Sequence, residues 1–163
     1  MTASPEPPEP ILEPDRRIVD AHHHLWFQTD AGIAALETQS SVLARAMAPV
    51  YRRNARYLFD EFSLDIGSGH KVVGTVFVQA RTIYRTDGPE PLRSVGEDEY
   101  VNGVAAMAAS GVFGPARICA GIVGGVDLTL GDAGDEVLEA HMRAGGGRYR
   151  GVRSGTLFDA DPP

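Results

Sequence analysis

The chain is poor in the residues that build special-purpose proteins. It has one cysteine, Cys119, among 163 residues, which excludes an internal disulfide framework and a cysteine-built zinc ribbon. Basic residues are outnumbered: 15 Lys and Arg against 22 Asp and Glu leave a net charge of -7. A chain of that sign with no basic run is repelled by phosphate, so neither nucleic acid nor an anionic membrane is an expected partner. No apolar run approaches the roughly 20 residues that a bilayer-spanning helix needs. The opening residues lack a basic segment followed by an apolar one, so no secretory signal is read and the expected compartment is the cytoplasm. What is present is ordinary. Hydrophobic residues make up 43% and charged residues 23%, the balance of a globular protein with one buried core.

Residues 1–16, MTASPEPPEPILEPDR, are dominated by Pro and Glu, with Ile11 and Leu12 as the large apolar side chains. Such a segment buries too little surface to offset its ordering entropy and is expected to be a flexible tail. From Arg17 onward short β-branched or apolar runs alternate with longer helical stretches. The runs are Ile18–His22, Val72–Val78, Arg117–Val123 and Tyr149–Arg153. Helices are expected near Ile33–Ala48 and Arg56–Leu64. A further helix is expected over Gly96–Ser110, with Tyr100, Val101, Val104 and Met107 as its apolar positions. The last is expected over Asp132–Ala144, with Val137, Leu138 and Met142 on one side. Strands alternating with helices imply an α/β fold with a parallel sheet and right-handed crossovers. The run VVGTVFV, apolar on both faces, fits a strand covered on both sides.

The segment that carries chemistry is Val19-Asp20-Ala21-His22-His23-His24-Leu25-Trp26, which holds three of the five histidines. Strict strand alternation puts Asp20, His22 and His24 on one face, and Ala21, His23 and Leu25 on the other. Two His separated by one residue have Cα atoms roughly 6.5–7 Å apart. Their imidazoles can converge on one divalent cation at about 2.0–2.1 Å. A neutral imidazole suits zinc and other borderline transition metals. Asp20, one step lower, is expected to ligate weakly or to orient a ligand. His23 is expected to pack or to support from behind. The cluster closes a β run, at the carboxyl end of a parallel strand where α/β folds put their sites.

Asp-x-His-x-His at the end of a first strand resembles the amidohydrolase superfamily of TIM-barrel hydrolases. DAHHHLW followed by VVGTVFVQA, VGEDEYVNG, ARICAGIVGGVDL and GGGRYRGVRSG is similar to its "family 2" branch, which holds sugar-lactone and dicarboxylate-lactone hydrolases and related decarboxylases. The likeness runs from Arg17 to Asp161. It implies that residues 17–163 are the N-terminal half of a (β/α)8 barrel, with about four strands. It implies a divalent metal, zinc or manganese, on His22 and His24. It implies as substrate a small lactone, or another cyclic ester or amide, of a carboxylated or sugar-derived compound. Asp20, Gln79 and Glu97 are then the candidate catalytic residues. Gln79 stands at the mouth of the second strand, and Glu97 either contacts the site or serves its helix N-terminus. Arg153 and Trp26 are the candidate substrate-binding residues. Arg153 is suited to a bidentate carboxylate contact or to a structural salt bridge.

The sequence also departs from that pattern. Ser154 stands where the family often has His, and the later strands that bring a further His ligand and a basic Asp have no counterpart. Neither His70 nor His141 is placed to replace that His, although Asp127 is a substitute carboxylate to consider. Four parallel strands cannot close a barrel. The inner face, assigned Thr75 and Phe77, is therefore expected to meet water, and the chain is expected to be a truncated half-barrel or to pair with a second copy. Two functions follow: a metal-dependent hydrolase represented by its first half, weak or inactive in isolation, or a non-catalytic remnant or interaction module. A decarboxylase of the same superfamily is the third reading.

Overall fold

A computed structural model describes residues 9–155. The first eight residues of the expected tail and the closing Asp161-Pro162-Pro163 lie outside the described residues, and residues 9–16 form no helix or strand. In chain order the elements are β1 (Ile18–His23), β2 (Trp26–Phe27), α1 (Asp30–Thr38), α2 (Val42–Arg53), β3 (Arg56–Tyr57), α3 (Phe59–Ile66), β4 (Val72–Val78), α4 (Val95–Ala109), β5 (Arg117–Gly125), α5 (Gly134–Ala144) and β6 (Tyr149–Arg153). A 3₁₀ turn at Glu90–Leu92 and a kinked 3₁₀ segment at Leu128–Ala133, broken at Gly131, lead into α4 and α5.

The four anticipated runs form one parallel sheet in the order β1-β4-β5-β6. Strands therefore add to one edge only, without the reversal of order that marks a doubly wound sheet. The small pair β2–β3 is antiparallel and stands apart. Among the described residues no helix is long and apolar enough to cross a membrane.

The stretch read as one helix over Ile33–Ala48 is two. Thr29 caps α1 by accepting from the Gly32 N–H, and Ser41 caps α2 by accepting from the Ala44 N–H at 3.4 Å. Side chains of this kind offer the backbone a partner outside the helix, so a Ser-Ser pair in mid-segment ends one helix and starts the next. The expected helix at Arg56 starts instead at Phe59, after a two-residue strand.

The core lies between the sheet and α3 and α4. It contains Leu25, Phe59, Phe62, Phe77, Val101, Val104, Ala105, Ala108, Ile118, Cys119 and Ile122. Two corrections follow. Thr75 and Phe77, assigned to a wet inner face, are both 0% exposed; Phe77 joins the helix-side core, and Thr75 accepts from the Cys119 N–H at 2.9 Å. The opposite face is the open one, with Val19 61% exposed. On the helices, Met107 and Met142 face solvent, while Ala105, Ala108 and His141 are buried. Small alanines let α4 approach β5 closely, and the larger methionine is left outside.

Candidate functional site at the strand mouth

β1 is not a regular strand. Asp20 pairs with Thr75 and His23 with Phe77, so three steps of β1 span two of β4. A bulge of this kind inserts one residue and re-aims the side chains beyond it. It puts Asp20 and His23 on the same side as Thr75 and Phe77, and His22 and His24 on the other. This corrects the alternation that grouped Asp20 with His22 and His24. Asp20 instead borders a shallow hollow with Phe62, Asp65, Ile66 and His70 beside α3. One of its oxygens accepts the His22 backbone N–H at 3.0 Å, a short-range bond that turns the chain into the bulge.

On the open side the two imidazoles meet. Their Nε2 atoms are 3.1 Å apart, and their rings cross nearly at right angles with centroids 4.8 Å apart. His24 is half-buried, and its Nδ1 lies 2.7 Å from the Val78 carbonyl oxygen. A carbonyl can only accept, so Nδ1 carries the proton and Nε2 presents a lone pair. Burial, and then the charges of His22 and Arg153, hold the His24 imidazole below its ordinary value. It is therefore the neutral form that a metal needs. Two nitrogen ligands at about 2.0–2.1 Å from one cation lie roughly 3.0–3.4 Å apart, so the donor pair fits such an ion. Among the described residues, however, no group of three or more His, Cys, Asp or Glu could hold a metal.

Arg153, at the end of β6, reaches across β5 and donates from Nη1 to the Gln79 carbonyl at 2.9 Å. The Gln79 side chain lies over Gly125, where a Cβ would meet its amide nitrogen at 2.4 Å, and donates to the Tyr84 hydroxyl at 2.9 Å. Gln79 thus acts as a brace for the loop after β4. Trp26 closes the other side. Its ring stacks on Tyr57 with centroids 5.0 Å apart, stands edge-on to Tyr51, and its Nε1 donates to the Asn54 carbonyl at 2.7 Å.

Glu97 does not face this mouth. It is 1% exposed, and one oxygen accepts the backbone N–H groups of Ala80 at 3.1 Å and Thr82 at 3.0 Å. Burial pushes its carboxyl up to about 7, against the pull of those hydrogen bonds. The clamp holds the loop where Arg81 and Ile83 both have left-handed backbone, φ 60 and 52. Gly96 leaves room for that loop, since a Cβ there would sit 2.8 Å from the Arg85 nitrogen. Asp127 is spent locally: its carboxylate accepts from the Thr129 N–H and hydroxyl at 2.9 and 2.7 Å.

Three residues at the mouth were not read from the sequence: Tyr51, Tyr84 and Arg81. The charges of Arg81 and Arg153 both act on Tyr51, whose phenol burial raises. Nothing in the residue type of Arg81 announces a left-handed position; only the tertiary clamp creates it.

No protein-family model matches the chain, and comparison with curated proteins and with solved structures found no match.

Proposed function

We propose that the chain is the first half of an amidohydrolase-type barrel whose strand mouth binds a divalent cation and acts on a lactone or another cyclic ester or amide. The strand order supports the barrel reading, because a singly wound parallel sheet that grows at one edge is how such a barrel is built. The observation that carries the metal reading is the pair of Nε2 atoms 3.1 Å apart, with the His24 proton fixed on Nδ1 by the Val78 carbonyl. His22 and His24 would hold the cation. When bound, such an ion lowers the pKa of its water and polarises a carbonyl. Arg153 lends positive charge beside them, suited to a carboxylated substrate.

Equilibrium dialysis against zinc or manganese, read by elemental analysis, tests this. About one equivalent is expected, with affinity lowered at least ~10-fold in the His22→Ala, His24→Ala double variant. Uptake that is unchanged in that variant overturns the reading. A panel of lactones is expected to turn over slowly. The reason for slow turnover also favours the second reading, a non-catalytic module: the bulge takes Asp20 off the imidazole face, and Glu97 is turned into a loop clamp. Rapid turnover that vanishes in His22→Ala would remove that second reading.

A further inference from the structure

Away from the strand mouth, one group of side chains has nucleophile geometry. Ser94 immediately precedes α4, Asp98 lies one turn into it, and His141 comes from α5. The Ser94 Oγ is 3.0 Å from His141 Nε2, and His141 Nδ1 is 2.9 Å from Asp98 Oδ2. His141 and Asp98 are both 0% exposed, while Ser94 is half-buried. The carboxylate accepts from Nδ1, which leaves the Nε2 lone pair for the serine hydroxyl proton. Each atom is thus in the role that an activated serine requires: nucleophile, base, and a buried acceptor that orients the base.

The arrangement has a built seat. At Gly124 of β5 a Cβ would meet the two Asp98 carboxylate oxygens at 2.8 and 2.9 Å, so the sheet omits a side chain where the carboxylate lies. Among the described residues Asp98 Oδ1 has no hydrogen-bond partner, although it is buried. Ser94, the cap of α4, and Asp98 within it are four apart, so both face α5. The position of Ser94 adds a further element. The positive end of the α4 dipole favours negative charge developing beside that terminus, although the Gly96 and Glu97 N–H groups are engaged by the Arg93 and Ser94 carbonyls at 3.2 and 3.1 Å.

We propose that Ser94, His141 and Asp98 form a second reactive centre, an acyl-accepting serine that takes short acyl groups from small esters. This is independent of any metal at His22 and His24. As Oγ attacks the ester carbonyl carbon, its proton passes to His141 Nε2. The carbon–oxygen bond to the leaving alkoxide then breaks as that alkoxide takes the proton back. Water, activated by the same nitrogen, cleaves the acyl-serine to the free acid and restores Ser94. A short acyl group is indicated because Ser94 is half-buried and the His141 behind it is 0% exposed, so the acyl carbon has to reach Oγ from outside.

The test is covalent labelling of the full chain with a fluorophosphonate, in which the Oγ–P bond forms as P–F breaks and fluoride leaves. Intact mass and peptide mapping read the product. One adduct on Ser94 is expected, with none on the exposed Ser40 and Ser110 and none in Ser94→Ala. In His141→Gln, with an unchanged circular dichroism spectrum, the labelling rate should fall at least about tenfold. If His141→Gln does not fold, the wild-type chain decides: labelling of Ser94 over Ser40 and Ser110 supports the proposal. A folded wild-type chain that leaves Ser94 unlabelled, or a folded His141→Gln variant that labels equally fast, overturns it.

Discussion

His22, His23 and His24 are neighbours in the chain, yet they belong to two different media. His23 points into the core, where it is 6% exposed, stacks on Phe62 at a centroid distance of 4.1 Å and lies 3.6 Å from the Cys119 sulfur. Burial lowers its value to about 4, so it is a neutral, ring-shaped core residue at physiological pH. His22 and His24 point to the open face, where their nitrogens converge and one proton is fixed by a backbone carbonyl. The difference teaches that a histidine cluster is not one feature: the medium on each side of the strand decides whether an imidazole packs or ligates.

The strongest way to break this contrast is to damage the core side alone. Phe77→Ala is expected to cost about 3–5 kcal/mol in chemical denaturation, while a mouth substitution such as His24→Ala costs far less. The next effect is acid sensitivity. The folded His23 value of about 4 lies below its ordinary 6.5, so the unfolded chain binds more protons between those values. Stability contributed by this group is therefore intact above pH 6.5 and falls as pH drops toward 4, by roughly 3 kcal/mol over the interval. Glu97 works against it. Its folded value of about 7 exceeds the ordinary 4.5, so its contribution is full below 4.5 and is lost as pH rises through 7. Denaturation midpoints of wild type and His23→Phe, compared from pH 4 to 7, isolate the first slope; parallel curves would contradict the buried placement of His23.

Gly124→Ala is smaller. Its Cβ would meet Asp98 and the Tyr149 ring at 2.8 Å, and overpacking of that sort costs about 1–3 kcal/mol by thermal melting. Smallest is Asp20→Asn, which sharpens the contrast because Asp20 lies on the His23 side. Cation uptake at His22 and His24 should stay within about twofold of wild type by dialysis; a larger loss would return Asp20 to the imidazole face.

The four parallel strands and α4 and α5 were legible because apolar runs and helical periodicity carry enough residues to outvote local exceptions. The His22/His24 pair was legible from its spacing, although for a reason that alternation gets only half right. The partner lost was Asp20, because a bulge is a matter of register between two strands and leaves no mark in either one alone. Glu97 was singled out but misread. A glutamate in the first turn of a helix has an adequate local explanation, whereas its actual partners, the Ala80 and Thr82 amides, lie 17 and 15 residues earlier. His141 was weighed only as a substitute metal ligand, although its place three after Leu138 and four after Val137 puts it on the apolar side of α5. Only the missing Cβ at Gly124, in another element, makes room for the carboxylate that draws it inward.

The Glu97 clamp has a mechanical consequence. Because one carboxylate in the first turn of α4 grips the amides on both sides of Arg81, the loop cannot swing as a free flap. It must travel as one body with the start of α4, and α4 in turn is packed on β5. Displacing this rim thus means either breaking both Glu97 hydrogen bonds or carrying the first turn of α4 along.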